Sequence, residues 1–188
     1  MAHRLQLLTP VCRFVLAVLG VVSIVACSSS DDDAPDGGDA IRTVTIGEGD
    51  DDGEGFTELV EGGDAHLHYG TQGGFHLFIA VRVTGFDERR LVVEVQAWRD
   101  DLDLDLPANQ LVHEVDLEPV GPDGALQTIA ADRLILCPNP TGIGSVDKTL
   151  RLSMTARDSF HHEARRDVTV VTRCPEGDGR CPPTCAGD

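Results

Sequence analysis

Three histidines, His66, His68 and His76, flank a glycine-rich stretch of five residues, Gly70 to Gly74. Short runs of strand-forming residues border that stretch on both sides, and its length and glycine content suit a hairpin. In such a hairpin Tyr69 faces Phe75, His68 faces His76, Leu67 faces Leu77 and His66 faces Phe78. Side chains alternate along a strand, so Leu67, Tyr69, Phe75 and Leu77 share the core side while His66, His68 and His76 share the other. Opposed Cβ atoms lie ~4.5 to 5.5 Å apart and diagonal ones ~7 to 8 Å, within reach of a common ion. Three neutral imidazoles suit Zn²⁺ or Cu²⁺, and nearby acids favour a cation. The competing reading is a polar outer strand face on which His76 supports the turn.

Other residue patterns carry less chemistry. Glu48, Asp50, Asp52 and Gly53 mimic the start of a calcium-binding loop, but the residue at its twelfth position is Leu59 and no helices flank it. Asp101, Asp103 and Asp105 alternate with Leu102, Leu104 and Leu106, as on the solvent face of a strand. His113 shares a face with Leu111, Val115 and Leu117 and reads as a packed core residue, whereas His161 and His162 fall in a polar loop. Ser145, Ser153 and Ser159 lie outside any nucleophile-elbow pattern, and Gly142-Ile143-Gly144-Ser145 lacks the lysine of a phosphate loop. With no catalytic constellation, the chain reads as non-enzymatic.

Cys137, Cys174, Cys181 and Cys185 are even in number and favour two disulfides among three pairings. Cys137 and Cys174 both end candidate strands, which suggests joining them and leaving Cys181 with Cys185. Cys181-Pro-Pro-Thr-Cys185 has no partner pair at zinc-finger spacing.

The elements that position these residues are strands. Apolar residues recur at every second position in Phe75–Val83, Leu91–Ala97, Leu111–Leu117, Leu150–Ala156 and Val168–Val170. Shorter candidates are Val44–Ile46, Ala65–Tyr69, Leu126–Ile129 and Leu134–Cys137, with Gly-, Pro- and Asn-rich breakers between. No sustained helical period follows residue 40. The expected fold is all-β: an antiparallel β-sandwich of immunoglobulin-like arrangement over residues 41–174, a small β-barrel being the alternative, with a Cys- and Pro-rich tail at 175–188.

Ahead of the domain, Arg4 and Arg13 accompany an apolar run from Phe14 to Ala26. That run is too short for the ~20 residues a spanning helix needs, and it has the form of an export signal, residues 1–26. The run ends Ile24-Val25-Ala26-Cys27-Ser28, which resembles the bacterial lipobox and implies cleavage before Cys27 and lipidation of its sulfur. Residues 27–40 carry Asp31, Asp32, Asp33, Asp36 and Asp39 and, after Cys27, no large apolar residue, and read as an extended acidic tether. The expected location is the bacterial cell envelope, as an outer membrane lipoprotein facing the periplasm or the cell surface. The formal charge of −17 argues against nucleic acid, whose binding rests on neutralising phosphates with Lys and Arg.

Gly47-Glu48-Gly49, Phe56-Thr57-Glu58-Leu59, Glu61-Gly62-Gly63 and the run Gly70-Thr71-Gln72-Gly73-Gly74-Phe75-His76 together resemble uncharacterised surface lipoproteins of myxobacterial type. In those, a strand pair precedes a Gly-x-Gln-Gly-Gly-x-His turn and an immunoglobulin-like sandwich follows. The resemblance spans about residues 43–174. It implies fold and location and no activity, and the acidic stretch Asp50–Glu54 is additional to its pattern. The combined expectation is a membrane-anchored binding module for an envelope protein or glycan, with a copper- or zinc-binding lipoprotein as the alternative.

Overall fold

The computed structural model describes residues 41–188 apart from Gln72, Asp105, Leu106, Pro140, Thr141 and Asp188. The expected signal, the lipidated Cys27 and the tether lie outside the described residues. Eleven strands and one short helix follow in chain order: β1 Thr43–Glu48, β2 Thr57–Glu58, β3 Gly63–His66, β4 His68–Tyr69, β5 Phe75–Thr84, β6 Arg90–Trp98, β7 Asn109–Val120, β8 Ala125–Thr128, β9 Asp132–Cys137, β10 Thr149–Arg157, β11 Glu163–Arg173 and α1 Cys181–Cys185. No helix among the described residues is long and apolar enough to cross a membrane.

Neighbouring strands run β2-β1-β5-β8-β7-β6-β10-β11-β3, while β4 and β9 also pair with β5. This ribbon does not close into a barrel; it forms a sandwich-like all-β fold. One element joins its two layers. β7 pairs with β6 through Asn109–Asp116 and with β8 through Leu117–Val120, so a single strand passes from one sheet to the other.

β5 is the spine of the first layer. Along one edge it pairs with β4 and then β1; along the other it pairs with β9 and then β8. Its alternate residues Phe75, Leu77, Ile79, Val81 and Val83 face the core, as the period of two requires. From the second layer Leu91, Val93, Val95, Leu150, Leu152, Met154, Val168 and Val170 complete one continuous aliphatic cluster.

The ladders are antiparallel except for one. β3 runs parallel to β11, Gly63 opposite Val170 and His66 opposite Arg173, which departs from the purely antiparallel expectation. The physical reason is connectivity: Ala65–Tyr69 does not form one strand but breaks at Leu67, with β3 in the second layer and β4 in the first. Leu67 itself is 1% exposed and fills the crossing.

Two surface expectations are corrected. His113 keeps the parity of Val115 and Leu117, but its ring is exposed and bonded through Nδ1 to Asp132 at 2.6 Å. Asp101 and Asp103 lie in the connection between β6 and β7 and not on a strand, and Asp101 accepts a two-pronged bond from the buried Arg99. Asp105 is outside the described residues.

The four cysteines pair as Cys137–Cys185 and Cys174–Cys181, with Cα separations of 5.1 and 5.7 Å, which corrects the pairing expected from strand ends. Helical spacing is the cause. Cys181 and Cys185 stand one turn apart on α1, side by side, so each reaches a different strand end, Cys185 to the end of β9 and Cys181 to the residue after β11. Pro182 and Pro183 suit the first turn, where backbone N–H groups have no helical partner. Both helix cysteines are fully buried, so the tail is part of the core.

At the β10–β11 turn, Asp158 accepts the backbone N–H groups of Phe160 at 3.0 Å and His162 at 2.9 Å, with His162 Nδ1 at 2.9 Å. Burial would push this carboxyl up, but the His162 ring and these N–H groups outweigh it and hold Asp158 below its ordinary value. A carboxyl lowered in the folded state contributes stability above its unfolded pKa and loses it as pH falls through the folded pKa. Asp158→Asn is therefore expected to cost about 1 to 3 kcal/mol near neutral pH, with a smaller difference from wild type in acid. Urea melts at the two pH values check this; an equal loss at both would count against it.

Candidate functional site

The turn that closes β4 onto β5 is held by Gly70 N–H to Gly74 O at 2.8 Å and Gly73 N–H to Gly70 O at 3.0 Å. Gly74 has φ 153°, and a Cβ there would stand 2.8 Å from the Cys137 carbonyl oxygen, so glycine is required. The turn sets the register expected from its length: His68 opposes His76 and Tyr69 opposes Phe75. Tyr69, expected in the core, is instead 45% exposed, and Arg180 from the C-terminal segment packs on its ring at 3.9 Å.

His68 and His76 are brought together, their ring centroids 6.3 Å apart. His66 is not part of that pair. It ends β3 in the other layer, beyond the crossing at Leu67. Phe78, the residue expected to face His66, packs against both His68, at 5.0 Å, and His76, at 4.6 Å.

The outer face of β5 is covered, which sequence parity alone does not show. Asp50 accepts the N–H groups of Asp52 and Glu54 through Oδ1, curling the acidic stretch into a turn. Gly53 then lies directly on the Phe78 ring, and Arg133 stacks 5.6 Å from the same ring. Under this cover His76 is 4% exposed and its Nε2 has no hydrogen-bond partner. Burial, then the nearby Arg133 and His68, push its pKa down to about 4, so the ring is neutral at physiological pH.

Glu48 is a partner of the histidines that the sequence pattern did not single out. It shares the inward face of β1 with Val44 and Ile46, yet lies at the strand's end, where its carboxylate reaches the mouth between the layers. Oε1 accepts the His66 backbone N–H at 2.6 Å, Oε2 stands 3.2 Å from His66 Nδ1, and Oε1 stands 3.7 Å from His68 Nε2. His68 Nδ1 meets Asp51 Oδ1 at 3.0 Å. Burial alone would raise the Glu48 carboxyl, but His68 and His66 outweigh it and hold it below its ordinary value. The same carboxylate, opposed by burial and helped by Asp51, raises the pKa of His68.

This group opens into a cleft of about 550 Å³ bounded by the acidic turn, Thr57 and the segment at Pro175 and Glu176. Among the described residues no group of three or more His, Cys, Asp or Glu side chains is placed to hold a metal ion. The three-histidine site expected from the hairpin is accordingly not assembled: two of its members pair, and the third belongs with Glu48. Its signal in sequence would have been Glu48 at a β1 terminus, legible only with the partner strands known. No family model, curated protein or solved structure matches the chain.

Proposed function

We propose that this protein is a non-enzymatic binding module held to the bacterial cell envelope by lipid on Cys27. The observation that carries the reading is the pairing of all four domain cysteines at disulfide distance, which suits an oxidising compartment outside the cytoplasm. The lipobox-like Ile24-Val25-Ala26-Cys27 and the acidic run after it support the same reading. A diacyl or triacyl anchor is stable where one chain is marginal, and an extended acidic tether lifts the domain from a surface of like charge. The face offered to a partner is the cleft between the acidic turn, Thr57, His66 and the segment at Pro175 and Glu176, and the partner class is an envelope protein or glycan.

Cys27→Ala tests the anchor. The variant is expected to leave the membrane fraction and the detergent phase and to retain its signal segment. Unchanged detergent partitioning would overturn the proposal. Crosslinking in intact cells, followed by identification of the species captured by wild type and lost on blocking the cleft with Thr57→Arg, tests the binding face.

A further inference from the structure

We infer that the cavity between the Gly70–Gly74 turn and β9 binds a compact monocarboxylate with a short aliphatic body, its carboxylate paired with Arg133 and hydrogen-bonded by His76. The cavity encloses about 240 Å³, and Gly70, Thr71, His76, Arg133, Ile135 and Pro138 are among its walls. Sheet register puts them there. Ile135 opposes His76 and Arg133 opposes Phe78, and residues two apart on a strand share a face, so β9 sets Arg133 and Ile135 beside the His76 ring. The cavity shares no lining residue with the cleft at Thr57.

Arg133 supplies the first argument. Acidic residues outnumber basic ones 32 to 15 in this chain, and Arg90, Arg99, Arg151, Arg157, Arg173 and Arg180 each pair with a carboxylate. Arg133 instead lies over the Phe78 ring, and its neighbour Asp132 is taken by His113 at 2.6 Å. Its planar fork is thus left for a carboxylate brought from outside, which it can hold through two parallel bonds. His76 supplies the second argument. It packs on the same Phe78 ring, is 4% exposed, and its Nε2 has no hydrogen-bond partner. Native proteins rarely leave a buried polar ring unmatched. The Nδ1 and Cε1 edge of the ring faces Gly70, where a Cβ would stand 3.4 and 3.6 Å from these atoms; glycine there keeps that edge open to the cavity. Burial, Arg133 and His68 keep the ring neutral, so one nitrogen carries a proton that a carboxylate oxygen accepts.

Size and charge narrow the ligand. The volume falls below the ~300 to 1,000 Å³ of sites for drug-sized molecules, which selects a small acid or the last residue of a longer chain. One guanidinium balances one negative charge, and the acidic turn at Asp50–Glu54, whose Gly53 rests on Phe78, disfavours a phosphate dianion. Ile135, 58% exposed, and Pro138 give an apolar wall that suits an aliphatic body better than a ring of hydroxyls. No step depends on the anchor at Cys27 or on the cleft at Thr57.

The test is titration of the full mature protein, in uncharged detergent near neutral pH, with isovalerate, N-acetyl-leucine and the neutral isovaleramide, followed by calorimetry and by NMR of the histidine rings. At least one of the two acids is expected to saturate with a dissociation constant of about 1 mM or tighter, within reach of so small a ligand, and to shift the His76 ring signals. Tighter binding of N-acetyl-leucine marks a polypeptide C-terminus as the source of the carboxylate, and tighter binding of isovalerate a free acid; isovaleramide is expected to bind neither tightly nor saturably. Arg133→Gln, at an exposed position, is expected to weaken binding about tenfold, and Ile135→Ala about threefold, with thermal melts unchanged. His76→Phe keeps the ring packing but removes both nitrogens and is expected to weaken binding about threefold. Gly70 has no left-handed φ, so Gly70→Ala narrows the cavity at the His76 edge without strain and is expected to weaken binding as well, which covers the case of a poorly folded His76 variant. Thr57→Arg is expected to bind the acids as wild type. Absence of saturable binding of both acids, unchanged affinity in Arg133→Gln, equal binding of isovaleramide, or His76 signals that stay fixed at saturation would overturn the assignment.

Discussion

Replacing Cys137 and Cys185 together by alanine is expected to lower the unfolding free energy by about 4 kcal/mol, the loop-closure value for a separation of 48 residues. Removing Cys174 and Cys181, only 7 apart, is expected to cost about 2 kcal/mol. The difference arises in the unfolded chain. The longer bridge encloses β10 and β11 and confines a far larger set of conformations than the shorter one. A third variant decides the connectivity. Replacing Cys137 and Cys174 breaks both bridges here and should be worse than either pair, whereas with Cys137 bonded to Cys174 it would break only one. Denaturant melts of the three double variants, with non-reduced peptide maps, read the order directly; the mildest loss in Cys137→Ala/Cys174→Ala would refute the observed pairing.

Phe75→Ala is expected to destabilise by about 3 to 5 kcal/mol, the range for truncating a buried aromatic ring. Phe75 is 1% exposed, opposes Cys137 on β9 and Tyr69 on β4, and touches the Tyr69 ring edge-on at 5.4 Å. It thus fills the place where the histidine turn, the β9 terminus and the core meet. Ile135→Ala on the same β9, 58% exposed, is the matched control and should stay within about 0.5 kcal/mol of wild type. A Phe75→Ala loss close to that of the control would show that the ring does not pack as described.

The period of two along β5, β6 and β10 was legible because each strand has one wholly apolar face, and a one-residue slip would expose all of it. The pairing of His68 with His76 was legible for a local reason: five residues separate the strands, and the turn fixes the register. His66 escaped the same reasoning because its partner strand, β11, lies over a hundred residues away, and alternation is silent about where a strand ends and the chain changes layer. Burial of His76 escaped it as well, since the cover comes from the acidic turn at Asp50–Glu54, which composition marks as solvated. Its acidity is real, but the Asp50 carboxylate is taken up by the turn's own N–H groups. The cysteine pairing depended on a five-residue helix containing two prolines, for which no periodicity exists to be read.

The parallel pairing of β3 with β11 sets an order of assembly. Residues 63–66 can find residues 170–173 only after nearly the whole chain is available, and contacts of such long range close late in folding. A chain made from its N-terminus therefore has β1 and β5 ready to pair well before β3 has anything to rest on. His66 acquires its place beside Glu48 only when the last strand docks. Partly synthesised or C-terminally truncated chains would carry the hairpin and its two opposed histidines but not the completed cleft.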